Sequence, residues 1–494
     1  MAVSALKVQG LRSFYQRHEP EKTVLYKVVS ENWKTFLADA EREPENQGLP
    51  KYIKREFEAY LKCGILQYGF LRVQCESCKD GRLVAFSCKK RGFCPSCGGR
   101  RMSETAAKLS DYVIPHVPVR QWVLSVPIPM RYWLASNPRL VTSVLETIMR
   151  TLNRFHRMRA AATGISNSQT GAITFIQRFG SALNLNVHFH ILFLDGVFNE
   201  PPENETPLFH PAEPPSDEDI RNLVQTLATR ITRHLKRKGY LKEEDETGPD
   251  GSDPLSHQSP ILAACVAASV QNKSALGDRA GKYVRKLGIH PLEARTTGFR
   301  SAAFRGFSLH GGVLVEAEDR RKLEHLIRYV ARPSIALERL NWTNDGNLIY
   351  KLKRTYTDGT THVLFSPMEL LEKLVSLIPR PNVHLVRYHG VLAPHAKVRS
   401  KVIPKLPTKK LESIEENHES KSKRISWARL LKRVFEIDIS TCSACNGNVK
   451  VIAAILEQNV VRKILEHLKL PAEPPRISPA RAPPQGSLHF DDTF

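Results

Sequence analysis

His188 and His190 stand two residues apart in the run Asn184-Leu-Asn-Val-His-Phe-His-Ile-Leu-Phe-Leu-Asp195. Along a strand, alternate side chains share a face. Both imidazoles therefore project one way, while Val187, Phe189, Ile191 and Phe193 project the other way into a core. Two imidazoles on one face can hold one metal ion. Such a pair is also compatible with an ordinary strand. A second candidate is Tyr329. Asp319 through Arg332 reads as a helix that stops before Pro333. On it Leu323, Leu326, Ile327 and Val330 share one side, and Arg321, His325, Arg328, Tyr329 and Arg332 share the other. A phenol on so basic a face can reach a phosphate held by arginines, which also stabilise the charge that develops during attack.

The third chemistry is thiolate. Cys75-Glu-Ser-Cys78 and Cys94-Pro-Ser-Cys97 are two C-x-x-C pairs with fifteen residues between them. Each pair offers two thiolates, and the spacing predicts one closed zinc site at Cys75, Cys78, Cys94 and Cys97. Such a site is structural, with no open position for water. Cys63 and Cys88 are extra thiols nearby; either could replace a ligand or stay free. Cys442-Ser-Ala-Cys445 is a third pair, half a zinc knuckle whose partners the sequence does not name. Around the first pairs lie Arg72, Lys79, Arg82, Lys89, Lys90, Arg91, Arg100 and Arg101. That charge makes the ribbon a DNA-docking candidate, with Phe86 and Phe93 available to stack on bases.

These residues need elements to position them. The 494 residues suffice for about three domains. Residues 1–62 read as helical. Residues 63–105 form the cysteine region, and 118–400 a catalytic domain with exposed insertions within 201–260. Residues 401–494 make a basic, helical C-terminal region with a disordered Pro-rich tail beyond Pro471. Strand-like runs at 122–126, 172–179 and 186–193 surround a helical stretch at 140–156. Ser216 reads as an N-cap for an apolar stripe of Ile220, Leu223, Val224, Leu227, Ile231 and Leu235. The predicted fold class is α+β: an antiparallel sheet with the histidine strand central and helices packed on it.

Lys plus Arg number 73 against 50 Asp plus Glu, a net charge of +23. That excess favours a polyanionic partner through counterion release. The N-terminus shows no secretory pattern and no run is long enough to span a bilayer. Cysteines at metal-ligand spacing then point to a reducing cytoplasm. Gly277-Asp-Arg-Ala-Gly-Lys282 imitates a phosphate loop, but its gap is too short and Tyr283 replaces Ser or Thr, so no ATP use is expected.

The histidine run resembles the His-hydrophobic-His (HUH) motif of single-strand endonucleases. The longer stretch from Gly171-Ala-Ile-Thr-Phe175 through Gln177, Arg178 and Phe179 to His188 resembles rolling-circle transposases of the insertion-sequence-91 type. So do Ser87-Cys-Lys-Lys-Arg-Gly-Phe-Cys-Pro-Ser-Cys97, Arg328-Tyr-Val-Ala-Arg-Pro333 and Tyr388-His-Gly-Val-Leu-Ala-Pro-His395. The resemblance covers roughly residues 50–410. It implies a tyrosine nucleophile at Tyr329 that leaves a 5′-phosphotyrosine and a free 3′-OH, with Arg328 and Arg332 assisting. It implies Mg²⁺ or Mn²⁺ at His188 and His190, with Gln177 as candidate third ligand, and structural Zn²⁺ at the cysteines. Expected partners are single-stranded transposon ends and target DNA, in a bacterial, nucleoid-associated setting, with no membrane. In two-tyrosine members a second Tyr lies one turn earlier; here that position is His325, the single-tyrosine pattern. Three rivals stand beside this reading: a replication initiator or relaxase, a zinc-dependent DNA-binding protein without chemistry, and a carboxylate-triad transposase using Asp195, Asp358 and Glu369.

Overall fold

The structure, a computed structural model, describes residues 18–42, 48–200, 202, 205–241, 253–288, 300–404 and 441–482, with the short strand pair Ser13–Phe14 and Ile437–Asp438. The fold is α+β. Its centre is a six-stranded sheet in which every neighbouring pair is antiparallel. In spatial order the strands are Ser301–Phe304, Phe307–Val315, Val119–Ser125, Leu185–Leu194, Gly171–Phe179 and Val386–Gly390. The histidine strand Leu185–Leu194 is interior, paired on both edges. Its β-branched and aromatic neighbours suit a sheet buried on both faces.

The two faces bury different helices. Trp122, Leu124, Val187, Phe189, Ile191 and Phe193 pack with the helices Pro138–Ala162 and Asp217–Arg237. Ile173, Phe175, Leu192 and Leu194 pack with the helices Pro95–Tyr112 and Arg320–Val330 on the opposite side. Ser216 caps Asp217–Arg237 in a reciprocal capping box with Asp219, and the predicted apolar stripe is its buried face. This helix packs on the central core. Residues 242–252 of the segment 201–260 lie outside the described residues.

A four-stranded antiparallel sheet of Leu340–Trp342, Leu348–Lys351, Thr360–Phe365 and Arg285–Gly288 stands beside the central one. A third sheet joins the chain's two ends. Phe70–Cys75 pairs with Gly81–Ala85 on one edge and with Val449–Ile455 on the other. The helix Gln458–His467 then seals Leu66 and Phe70 with Val461 and Leu465.

The tail departs from the expectation of disorder. From residue 472 to 482 the chain has no regular secondary structure and is strapped to the first long helix, Val24–Glu41: the Ser478 N–H donates to the Ser30 carbonyl, and Arg481 bonds Thr35 and Asn32. Prolines lower the entropy lost in an extended segment, so a Pro-rich strap can be ordered by a few such contacts. Residues 405–436 and 483–494 of the predicted basic region and tail lie outside the described residues. No helix among those described is long and apolar enough to cross a membrane.

One buried ion pair fixes the histidine strand. At its end Asp195 accepts from Arg120 Nε at 2.9 Å and Nη2 at 2.6 Å, while Nη1 donates to the Gly311 carbonyl at 3.0 Å. Arg120 is fully buried and Asp195 nearly so. Removing one partner strands the other charge. Asp195→Ala should therefore cost about 3–5 kcal/mol of stability, measured by urea unfolding. A cost below about 1 kcal/mol, the range of an exposed pair, would contradict the assignment.

Candidate active site and metal centres

Register places the sheet residues. Gln177 lies directly across from His188, and Phe175 and Val123 flank His190. Cross-strand partners share a face, so Gln177, His188 and His190 form one cluster on the side covered by the helix Arg320–Val330. The His188 Nδ1 lies 2.9 Å from the Asn186 carbonyl, an acceptor only. Nδ1 must then carry the proton, which leaves the Nε2 lone pair for a metal. His190 Nδ1 lies 2.9 Å from the Gln121 amide nitrogen, which donates to it; only with that amide turned over would its oxygen accept from Nδ1–H and free Nε2. Gln177 Nε2 donates to the Val330 carbonyl at 3.2 Å, leaving its Oε1 as the unused acceptor. Two imidazole nitrogens and one amide oxygen could hold a divalent cation, the imidazoles suiting Zn²⁺, Cu²⁺ or Ni²⁺ and the amide oxygen a harder ion.

The bond from Gln177 also ties the sheet to the end of the tyrosine helix. Asp319 caps this helix by accepting from the Lys322 N–H at 2.9 Å, and the helix ends at Val330, ahead of Pro333. Tyr329 is 42% exposed, so its phenol is open to substrate. Its ring lies 6.3 Å from the His190 ring at an angle of 89°. The Arg332 guanidinium sits 5.0 Å from the Tyr329 ring centre and the Lys353 ammonium 4.1 Å from it. Burial makes both cations give up their protons more readily than usual, and Arg332 adds to the effect on Lys353. An anion placed there would relieve that cost.

Around the tyrosine and histidines, the residues chosen from sequence are therefore brought together, with one exception and one omission. Arg328 turns aside to bond Glu324 at 2.5 Å, so Arg332 is the arginine beside the phenol. Lys353 comes from just beyond the strand Leu348–Lys351 of the second sheet. Its only sequence signal was the basic run Lys351-Leu-Lys-Arg354. His325, one turn before Tyr329, is exposed. Asp195, Asp358 and Glu369 each sit in a separate ion pair, with Arg120, Lys286 and Arg279 respectively. Among the described residues the only groups of three or more His, Cys, Asp or Glu that could hold a metal are two cysteine clusters.

Those clusters correct the expected zinc site. Cys75 and Cys78 do not meet Cys94 and Cys97. Cys94 and Cys97 close with Cys63 and Cys88, the sulfurs lying 3.4–3.7 Å apart at the nearest pairs. Cys75 and Cys78 close with Cys442 and Cys445, at 3.4 and 3.5 Å. A tetrahedron of thiolates about 2.3 Å from zinc has edges of about 3.8 Å, close to both sets. The Cys78 backbone N–H is the largest of several donors that hold Cys75 down to about 6. Gly447 is required at the second cluster, since a Cβ there would sit 2.5 Å from Ser77 Oγ and 3.0 Å from Cys75 Sγ.

The first cluster opens the helix Pro95–Tyr112, which packs along the tyrosine helix; Arg320 donates to the Ile114 and Pro115 carbonyls at its end. Gly98, next to Cys97, packs so tightly on Pro333 that a Cβ would lie 2.7 Å from it. The metal cluster thus abuts the turn that follows Tyr329. Phe93 is not available for bases: it is buried between Phe57 and Tyr60, at ring distances of 4.7 and 4.9 Å.

Buried imidazoles give the fold a pH dependence. Burial lowers His156 to about 3, His188 to about 4 and His190 to about 3. His156 stacks on Phe193 at 4.2 Å with neither nitrogen partnered. Because each folded value lies below the unfolded value, the unfolded chain binds more protons and stability rises with pH. Stability should be full above pH ~6.5 and fall on acidification by up to about 1.4 kcal/mol per pH unit for each histidine. Melting temperature from pH 7 to 5 checks this, with His156→Phe flattening the slope; an unchanged wild-type melting temperature would refute it.

Two family models match the chain. The one described as "Putative transposase" covers residues 171–401. The one described as "Transposase zinc-binding domain" covers residues 28–126. No curated protein and no solved structure matches. The first span holds the histidine strand, Gln177, Tyr329 and Lys353; the second holds six cysteines, four of them the cluster against Pro333.

Proposed function

The chain belongs to the insertion-sequence-91-type transposases, and from that premise we propose that it nicks and rejoins single-stranded DNA through a 5′-phosphotyrosine at Tyr329, in rolling-circle transposition. The observation that carries this reading is the meeting of Tyr329 with His190 across a 6.3 Å ring contact, between two cations. Residues 63–105 dock DNA in this reading and 118–400 carry the chemistry.

The phenol oxygen attacks the scissile phosphorus. The bond to the 3′ oxygen breaks, and that oxygen leaves with a proton as a free 3′-OH. The 5′ phosphate stays on Tyr329. In the reverse step a 3′-OH attacks the phosphotyrosine and the phenol leaves. Arg332 and Lys353 hold the phosphate and stabilise its growing charge. His188, His190 and Gln177 would hold a divalent cation, which when bound polarises the scissile phosphate. Gln177 also fixes the helix end through Val330, so the nucleophile and the cation's ligands keep one geometry.

The test is an adduct assay. Incubated with a single-stranded oligonucleotide and Mn²⁺ or Mg²⁺, the chain should yield a protein–DNA species that survives denaturation, with phosphate on a tyrosine. Intact duplex should yield none. Cleavage without a covalent species would mean water is the nucleophile; neither cleavage nor adduct would leave a DNA-binding protein without chemistry.

A further inference from the structure

A cavity of about 420 Å³ lies where the cysteine region meets the central sheet. Gly92, Gly98, Arg101 and Thr105 line it from the cysteine side. Phe175, Gln177 and Phe179 line it from the sheet, and Tyr388 from the edge strand. The turn Arg332, Pro333 and Ser334 closes it beneath Tyr329. It is within the usual size of small-ligand sites, roughly 300–1,000 Å³.

Its chemistry is that of a nucleotide site. Arg91, Arg101, Arg178 and Arg332 line it, and among the described residues no carboxylate does. Phe179 and Tyr388 offer ring faces. Two polar atoms of the lining residues, Ser334 Oγ and Arg178 Nε, are buried behind the wall with no hydrogen-bond partner. The Arg178 guanidinium is fixed by donating to the Ala135 and Ser376 carbonyls, so its orphaned Nε stays in place. Aromatic rings beside several guanidinium groups suit a planar base with an attached phosphate. Gln177 and Arg332 belong both to this cavity and to the site around Tyr329, so the two adjoin.

We infer that the cavity receives one unpaired base of the strand being cut, next to the scissile phosphate; this rests on the reading of Tyr329 as the nucleophile. Walls on both sides exclude a base still paired in a duplex. Selection of single strands then lies in this pocket as well as in the chemistry. It also gives the cysteine region a direct part in holding substrate, through Arg101 and Thr105.

Photocrosslinking of the full, metal-loaded chain tests it. The probe is a single-stranded oligothymidylate carrying 4-thiothymine, without added Mg²⁺ or Mn²⁺. Crosslinked peptides should contain Phe179, Tyr388 or the turn at Arg332–Ser334. Thr105→Trp, which fills the cavity, should lower that crosslink about tenfold or more, with a smaller loss of strand binding by anisotropy because the other nucleotides keep their contacts. Ser334→Leu, a smaller obstruction, should act the same way if Thr105→Trp fails to fold. Crosslinks confined to other surfaces, or unchanged in both variants, would overturn the inference. The assay needs no cleavage. A chain that forms the tyrosine adduct without cavity crosslinks loses only the pocket; one that crosslinks in the cavity without an adduct loses only the nuclease reading.

Discussion

Tyr329→Phe should abolish the covalent adduct and cut strand cleavage about a thousandfold or more, while single-strand binding stays within about threefold. The reason is local. The substitution removes one oxygen from a side chain that is 42% exposed, and leaves its ring in place against His190, Arg332 and Lys353. Neighbouring losses should look different. His188→Ala or His190→Ala removes a nitrogen from the donor set, so activity should fall yet respond to excess Mn²⁺. Lys353→Ala should slow cleavage without removing the adduct, because it withdraws charge and not the nucleophile. An undiminished adduct in Tyr329→Phe would sink the assignment and pass the role to another tyrosine, Tyr388 first.

The second large effect concerns the cysteines. The wild-type chain should bind two zinc ions, Cys97→Ser should bind one, and cleavage by Cys97→Ser should fall about a hundredfold or more. Cys97 lies in the cluster that opens the helix Pro95–Tyr112, and its neighbour Gly98 presses on Pro333. Loosening that cluster frees the turn that sets Tyr329 and Arg332, and small displacements of reacting groups are costly. Cys445→Ser should also lose one zinc, because Cys445 closes on Cys75. Its effect on cleavage should be smaller, since among the described residues that cluster packs with the strands Phe70–Cys75 and Val449–Ile455 and not with the tyrosine turn. Metal analysis and adduct yield on the same samples decide the matter. One zinc in the wild type, unchanged in Cys445→Ser, would restore the arrangement expected from spacing alone.

That contrast shows what a sequence can and cannot convey. Period-two alternation around His188 and His190 is local, so the shared face and the core-facing Val187 and Phe189 were readable. Asp319 as cap, Pro333 as stop and the stripe of Asp217–Arg237 are equally local signals. A C-x-x-C pair specifies its own two sulfurs, but the pair that completes the tetrahedron is a tertiary fact. The nearer pair in sequence was the wrong one: Cys78 closes on Cys442, 364 residues away. Lys353 was missed for the same reason, since a second sheet delivers it to Tyr329. The strap beyond Pro471 was misread because composition reports the entropy of a free chain and not the partners waiting on Val24–Glu41.

Translation delivers Cys78 long before Cys442. At ~5–20 residues per second, the gap of 364 residues is roughly twenty to seventy seconds. Throughout that interval the nascent ribbon holds half a metal site. The strand Phe70–Cys75 also shows a bare edge where Val449–Ile455 will later pair. The other cluster, complete once Cys97 has left the ribosome, can load metal at once. The two centres therefore mature in a set order, and only the later one depends on Cys442 and Cys445. A message cut short before Cys442 yields a protein whose tyrosine and histidines are all present but whose ribbon cannot close.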